Sequence, residues 1–363
     1  MKKRMLRFAE ALVNQEKARI IIPAQENSPG FWFGGGNMVS DSRGNLYVTG
    51  RYRNFGDSRT GTGMGVRGLE LAIFKSEDHG ATFRKVKSFS KKDLNINGLE
   101  VISIEGTALN LTAAGVELYI STEKLNRPFP EEYSTYCKPG TGSWTVEFME
   151  ADSIENLSTA NYRTLLDNRD PRWFNTKDPF VHHTAAGDLV LGYCTHPFNW
   201  SSSNTGYTVR KKGSRDFSDL NNQFFPRGFC WDVGITRGTA LLKLPQVGSF
   251  SGKNISLLFY DGGEAMREYP AHENAVQRPR GYSCEELGGV AWIMNDVIDF
   301  PERLTDVLPG FVSPWGTGCS RYVDVLETDE GYFATWQQSQ KDFSQPLVMN
   351  FLSREDAERI LIG

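Results

Sequence analysis

Residues 177–196 read KDPFVHHTAAGDLVLGYCTH: a short run through Phe180 and Val181, a polar turn at Gly187 and Asp188, then an apolar strand from Leu189 to Tyr193. Two β-branched or aromatic runs joined by a Gly-Asp turn describe an antiparallel hairpin. The same phrase recurs as GGNMVSDSRGNLYVTGRYR (35–53), IEGTALNLTAAGVELYIST (104–122), TRGTALLKLPQVGSFSGKNISLLFYDGG (236–263) and SRYVDVLETDEGYFATWQQ (320–338). Two copies share GTAL and two share TAAG, and their starts lie about 60 to 85 residues apart. That period suits a four-stranded blade with decorated loops, and radial repetition is one way for an all-β chain to limit its exposed edges.

The pattern therefore predicts an all-β, five-bladed β-propeller occupying 1–363 as a single domain, with blades starting near 35, 104, 177, 236 and 320. A six-bladed ring is the alternative. The run ARIIIPA, within a segment at 17–24, is a candidate closing strand for the last blade, or else an ordinary edge strand. Helical spacing is confined to the ends: Leu6, Ala9, Leu12 and Val13 predict a helix within 1–16, and Ser353 is placed to cap a second short one.

The 363 residues carry a formal net charge of -4, and charged residues make up only 23% of the chain. No global cationic field gathers nucleic acid or an anionic membrane, so neither partner is expected. The five cysteines are widely spaced with no C-x-x-C pair, and the amino-terminal stretch has no apolar signal core. A reducing, cytoplasmic setting is the expectation. The histidines show no zinc-ligand spacing, and no cofactor is expected. Oligomeric state is not readable from this pattern.

In a propeller the inner strand of each blade starts, and the second strand ends, on one face. The repeat places Asn37, Glu105, Asp178, Arg237 and Arg321 at inner-strand starts, and Arg51, Arg53, His196 and Asp261 near second-strand ends. Glu105 and Asp178, from neighbouring blades, offer the two carboxylates that glycoside hydrolysis needs, one to protonate the leaving oxygen and one to attack or activate water. Each also has a structural reading as a cap or an ion-pair partner. Asp57 in the loop RYRNFGDSR and Glu286 in GYSCEELGG (281–289) are further candidate acids on mouth-side connections. The arginines match carboxylate, sulfate or phosphate oxygens two at a time, which points to an anionic sugar or to bound phosphate. Trp173 in PRWFNTKD and Trp315 in SPWGTG are candidate stacking walls for a sugar ring.

Two motifs carry resemblances. SEDHGATF (76–83) matches the S-x-D-x-G-x-T-[WF] Asp-box and resembles the turns of sialidases and other glycan-processing propellers, where it marks fold rather than catalysis. The phrase KDPFVHH-x4-DLVLGY, with its acid-Pro at a blade start, resembles the five-bladed glycoside hydrolases: arabinanases, β-xylosidases, invertases and mannoside phosphorylases. That resemblance implies three acids from successive inner strands, where this chain presents Asn37 in the first; Asp57 is the candidate replacement. It also leaves open a structural calcium in the channel. The resulting expectation is an exo-acting glycoside hydrolase on oligosaccharides. A sialidase-like enzyme, a glycoside phosphorylase, a polysaccharide lyase and a non-catalytic sugar-binding propeller are the rivals.

Overall fold

The chain begins with a helix, α1 (Lys2–Leu12), and a strand, β1 (Arg19–Ile22), and then builds five antiparallel sheets in succession. The computed structural model describes residues 1–54, 66–125, 127, 142–170, 172–197, 202–263, 286–294 and 301–363. In the first blade β2 (Trp32–Gly34) and β3 (Met38–Ser40) share the inner position against β4 (Leu46–Asn54), followed outward by β5 (Val66–Ser76) and β6 (Arg84–Ser90). The second comprises β7 (Val101–Thr112), β8 (Gly115–Lys124), β9 (Ser143–Ala151) and β10 (Arg163–Leu166). The third has β11 (Lys177–His183), β12 (Leu189–Thr195), β13 (Asn204–Arg210) and β14 (Asn221–Phe225). The fourth has β15 (Ile235–Lys243), β16 (Ile255–Gly263), β17 (Leu287–Met294) and β18 (Glu302–Arg303). The fifth runs β19 (Ser320–Glu327), β20 (Gly331–Gln338) and β21 (Leu347–Ser353), and its outermost strand is β1, antiparallel to β21 with Arg19 opposite Met349. The fold is the predicted five-bladed propeller, with both chain ends in one blade.

Two helices complete it. Met5, Phe8, Ala9 and Leu12 bury one face of α1, and α2 (Arg354–Ile362) starts where the Ser353 hydroxyl accepts the Asp356 N–H at 3.1 Å. That cap satisfies one of the donors a helix start leaves open.

Among the described residues the apolar core divides into five clusters, one at each blade seam. Alternation along the strands explains this, because inward residues of one sheet meet those of the next. Leu109 and Leu118 meet Leu71 and Ile73 between blades one and two. Phe180 and Phe225 meet Leu258 and Tyr260 between three and four.

Near the axis every seam also carries a side chain bonded to its neighbour's inner-strand backbone. Asn37 accepts the Leu109 N–H at 2.7 Å and donates to the Leu109 carbonyl at 2.9 Å. Asp178 accepts the Gly106 N–H at 2.9 Å, and the Thr205 hydroxyl accepts that of Gly238 at 2.7 Å. Asp261 accepts the Tyr322 N–H and Asp324 the Met38 N–H, both at 2.8 Å. These contacts fix the inner strands where apolar packing is interrupted by the channel.

Each inner strand also slips register near its start. The irregularity falls after Ile104, Lys177, Gly238 and Arg321, and the first blade breaks between Gly34 and Met38. Gly35, Asp178 and Tyr322 sit in these slips with φ of 74°, 50° and 54°. Left-handed backbone costs a non-glycine residue energy and persists where the surroundings enforce it. A Cβ at position 35 would lie 2.0 Å from Arg51 Nη1, so a side chain there would displace that guanidinium. Gly35, not Asn37, is thus the first-blade counterpart of Glu105 and Asp178.

Gly106 lies in the same slip, and a Cβ on it would meet Asp178 Oδ1 at 2.6 Å and its Cα at 2.7 Å. Gly106→Ala is expected to cost about 1–3 kcal/mol, the usual range for overpacking a closed site. Denaturant unfolding measures this, and a variant as stable as the wild type would contradict the tight seam.

The SEDHGATF turn lies between β5 and β6, on the face away from the inner-strand starts. Asp78 Oδ1 accepts the Thr82 N–H at 2.9 Å, Ser76 Oγ accepts the Gly80 N–H at 2.8 Å, and His79 and Gly80 take φ of 54° and 84°. These bonds depress the Asp78 carboxyl, the Thr82 hydroxyl contributing most. The motif is used up in holding its own turn.

Candidate active site

The inner-strand starts surround a pocket whose chemistry follows from one position in the repeat. The residue just before the register slip is Lys177 in the third blade and Arg321 in the fifth, and in the fourth Arg237 stands one residue earlier, before Gly238. In the first blade that place is Gly34, and Arg51 opposite it on β4 sends its guanidinium across instead, donating to the Gly34 carbonyl at 2.8 Å. Arg51, Arg53, Arg67, Lys177, Arg237 and Arg321 line the pocket, and its carboxylates among the described residues are Glu105 and Glu286.

Glu105 enters from β7. Its Oε1 accepts the Ser103 hydroxyl at 2.7 Å, while Oε2 lies 3.6 Å from Lys177 Nζ and 3.7 Å from Arg51 Nη2. Burial alone would raise this carboxyl, but Lys177, Arg51 and Arg67 outweigh it and hold the group well below its ordinary value. The Glu105 carboxylate is ionised, which suits a base or nucleophile rather than a proton donor.

Asp178 lies one layer deeper. It lines the narrower channel below with Gly106, Pro179, Gly238 and Tyr322, and not the pocket itself. Besides the Gly106 N–H, it faces Lys177 at 3.5 Å and Arg237 at 3.4 Å through Oδ2, and Cys194 Sγ lies 3.8 Å from that oxygen. Lys177 thus bridges two carboxylates at 3.6 Å and 3.5 Å, which keeps their nearest oxygens within about 7 Å. Burial would lower the Lys177 ammonium, yet Asp178 and Glu105 raise it above its ordinary value.

Arg237 is a buried hub. Its Nη2 pairs with Glu286 and lies 3.7 Å from Asp261 Oδ2, and its Nη1 faces Asp178. Glu286 stands immediately before β17, clamped between Arg237 and Arg321 rather than reaching over the mouth from a loop. Burial raises its carboxyl, but the two arginines bring it down to about 2. Asp261, fully buried behind Arg237, goes the other way: burial, offset in part by Arg237, lifts it to about 7. It braces the site without lining it.

Tyr322 and Trp32 belong to the site although the repeat did not nominate them. The Tyr322 ring is ringed by Arg51, Arg321 and Arg237, with guanidinium carbons 4.9, 5.2 and 5.6 Å from its centroid, and its hydroxyl accepts from Arg51 Nη2 at 3.2 Å. Arg321, Arg53 and Arg51 likewise approach the Trp32 ring at 3.9, 4.9 and 5.6 Å. Cations over π faces gain from the ring quadrupole, more so when desolvated. Opposite, Trp144 and His196 complete the wall, their rings edge-to-face at 5.2 Å. The Trp144 backbone N–H donates to Asn175 Oδ1 at 3.0 Å, which leaves Asn175 Nδ2 facing His196 Nδ1 at 3.3 Å.

Three nominated residues lie elsewhere. Asn37 is consumed by its two bonds to Leu109, because the register slip carries it two residues past the mouth position. Trp173 and Trp315 are half-buried in the connections before β11 and β19, and neither lines the pocket; Trp32 and Trp144 supply the aromatic faces. Asp57 lies outside the described residues. No set of three His, Cys, Asp or Glu side chains among the described residues is arranged to hold a metal. The channel offers Asp178 beside Arg237, a donor set that does not fit calcium, which takes six to eight oxygens.

No protein-family model matches the chain, and no curated protein matches it in sequence. Solved structures do match in shape. An α-L-arabinofuranosidase from Lactobacillus brevis superposes with a TM-score of 0.53 at 10% identity, covering 94% of this chain and 93% of that one. The RS223 β-xylosidase gives 0.54 at 8% identity over 93% and 95%. A GH93 α-L-arabinofuranosidase of Fusarium graminearum, solved with arabinobiose, gives 0.50 at 12% identity over 94% and 98%. At such identities the likeness is one of backbone: the chain is a five-bladed β-propeller sharing its architecture, over nearly its whole length, with solved glycosidases.

Proposed function

We propose that the chain is a glycoside hydrolase that removes a terminal, anionic sugar from an oligosaccharide. The observation that carries this reading is Lys177 held between Glu105 and Asp178 at the floor of an arginine-lined pocket. Glu105, ionised and facing the pocket, is the nucleophile or base, and Asp178 is its partner carboxylate one layer below. Their separation ceiling of about 7 Å is compatible with the spacings of both retaining and inverting enzymes, roughly 5–9.5 Å. The aromatic walls at Trp32 and Trp144 suit the apolar faces of a sugar ring. The shared architecture with glycosidases adds support at the level of fold.

The test is turnover of 4-methylumbelliferyl glycosides of neutral and acidic sugars in both anomeric forms, followed by NMR of the released anomer. Cleavage that depends on Glu105 supports the reading, and no cleavage across the set counts against it.

A second reading rests on Tyr322. Its hydroxyl and Glu105 meet at one guanidinium, Arg51 Nη2, at 3.2 and 3.7 Å, which brings a phenol and a carboxylate to one cation, the two groups a sialidase-like enzyme uses as nucleophile and base. Tyr322→Phe decides between them. Loss of turnover comparable to that of Glu105→Gln favours the phenol, whereas loss of less than about tenfold favours direct attack from the carboxylate.

A further inference from the structure

Glycoside hydrolysis needs a proton delivered to the leaving oxygen as well as a group that attacks or activates water. Glu105 has the second task, and the pocket's side chains can be sorted for the first. Both carboxylates that line it among the described residues face cations: Glu105 stands beside Lys177 and Arg51, and Glu286 is held between Arg237 and Arg321. Opposite charge at that range favours the ionised carboxylate, which has no proton to give. Asp178 faces Lys177 and Arg237 and lines the channel below rather than the pocket. Guanidiniums do not release a proton in proteins, and two carboxylates hold the Lys177 ammonium to its own. Burial raises the Tyr322 phenol, which makes it a still weaker acid. Among the described residues that line the pocket this leaves His196, and imidazole is the side chain that exchanges a proton near neutral pH.

The backbone sets this ring on the same wall as Glu105. Lys177 is paired across the sheet with Cys194, and His196 follows two residues later, its backbone N–H extending the ladder to the Phe174 carbonyl at 3.0 Å. Diagonal neighbours on paired strands stand about 7–8 Å apart. The imidazole packs edge-to-face on Trp144 at 5.2 Å and on Phe174 at 6.5 Å, and its Nδ1 meets Asn175 Nδ2 at 3.3 Å. The Lys177 ammonium lies 5.5 Å from the centroid of the same Trp144 ring and 3.6 Å from Glu105 Oε2. One indole therefore packs against both the imidazole and the cation that faces Glu105.

Resting on the glycosidase reading above, we infer that His196 is the general acid, its imidazolium N–H protonating the glycosidic oxygen of a sugar seated at Glu105. The step balances on the groups named. Glu105 supplies an electron pair to the anomeric carbon, either itself or through a water whose proton it takes. The bond from that carbon to the glycosidic oxygen breaks with its pair on the oxygen, and the oxygen takes the imidazolium proton. His196 is left neutral and recovers its proton from the water that completes hydrolysis or from solvent. Asp178 acts through Lys177, as a positioning residue.

Leaving-group dependence tests this, because an acidic phenol departs without help from a proton and a weakly acidic one does not. The probes are 2,4-dinitrophenyl and phenyl glycosides of neutral and acidic sugars in both anomeric forms, and the quantity read is kcat/KM. His196→Gln is expected to lower it about 10²–10⁴-fold on the phenyl glycoside and less than about tenfold on the dinitrophenyl glycoside of the same sugar. A ring that only shapes the pocket would cost both substrates alike. If the glutamine variant does not fold, His196→Asn carries the same comparison. Equal losses on the two leaving groups, or no loss on either, overturn the inference and leave the glycosidase reading standing, because turnover has then been seen. Cleavage of none of these glycosides by the wild type removes both.

Discussion

Glu105→Gln is expected to lower turnover of whichever glycoside the chain cleaves by about 10²–10⁴-fold, the range that a positioned acid-base group supplies. The substitution keeps the side chain's length and its acceptor for the Ser103 hydroxyl, and removes only the charge that faces Lys177 and Arg51. Removing one member of a buried ion pair leaves the cations uncompensated, at a cost of about 3–5 kcal/mol in stability. Unfolding must therefore be measured beside activity, with Glu105→Asp as the variant that retains charge. Lys177→Met provides the complementary test. With the ammonium gone, the carboxyl loses the largest of the influences that hold it down, so its protonation moves to higher pH. The acidic limb of the kcat/KM profile should shift upward in pH while the protein stays folded. A profile that does not move would mean that Glu105 is not the group that must be ionised.

Much of the architecture could be read from the chain because strand alternation and turn chemistry are local. Val-Glu-Leu-Tyr-Ile after Ala-Ala-Gly at 113–115 needs no tertiary information to be read as a strand after a turn, and the five seams follow from repeating that phrase. The site was only partly legible, for a reason visible at Gly35. Register slips near the start of each inner strand shift which residue faces the mouth, and a pattern aligned on the downstream strand carries no record of them. Aligning on GGNMVS put Asn37 where Gly35 stands, and hid Trp32 on the far side of the break. Tyr322 escaped for the same reason. Its position is equivalent to Asp178, yet a tyrosine after an arginine in SRYVDV reads as an ordinary strand residue until the left-handed φ of 54° turns it into the ring of guanidiniums. Arg237 and Arg321 were legible as residues but not as roles. Only the distances show that Arg237 is occupied by three carboxylates.

The seam contacts make a separate prediction about pH, with a large effect on stability. Asp324 closes the ring by accepting the Met38 N–H at 2.8 Å across the junction of the fifth and first blades. Burial raises its carboxyl from 3.8 to about 7, with the Met38 and Val325 N–H groups opposing only in part. A folded-state value above the unfolded one means that the native state binds the proton more tightly. The stabilisation is complete below the unfolded value of 3.8 and is lost as pH rises through about 7. At roughly 1.4 kcal/mol per unit the full swing is on the order of 4 kcal/mol. Asp324→Asn keeps the carbonyl acceptor and cannot ionise. At pH 3.5 it should unfold close to the wild type, and at pH 8.5 it should be more stable by an amount approaching that swing, read from denaturant midpoints. Asp261 has a shift in the same direction, but Arg237 and Glu286 stand against it, so its variant would mix seam and site. Asp324 is the cleaner probe, and it bears on function through the chain itself. It lies two residues beyond Tyr322 and three beyond Arg321, on the strand that carries both into the pocket. Loosening this seam at alkaline pH should disturb the arginines around Trp32 before the propeller unfolds, so Asp324→Asn should also retain glycoside turnover at a pH where the wild type begins to lose it. Identical pH profiles for the two proteins, in stability and in turnover, would show that the seam carboxyl does not govern either.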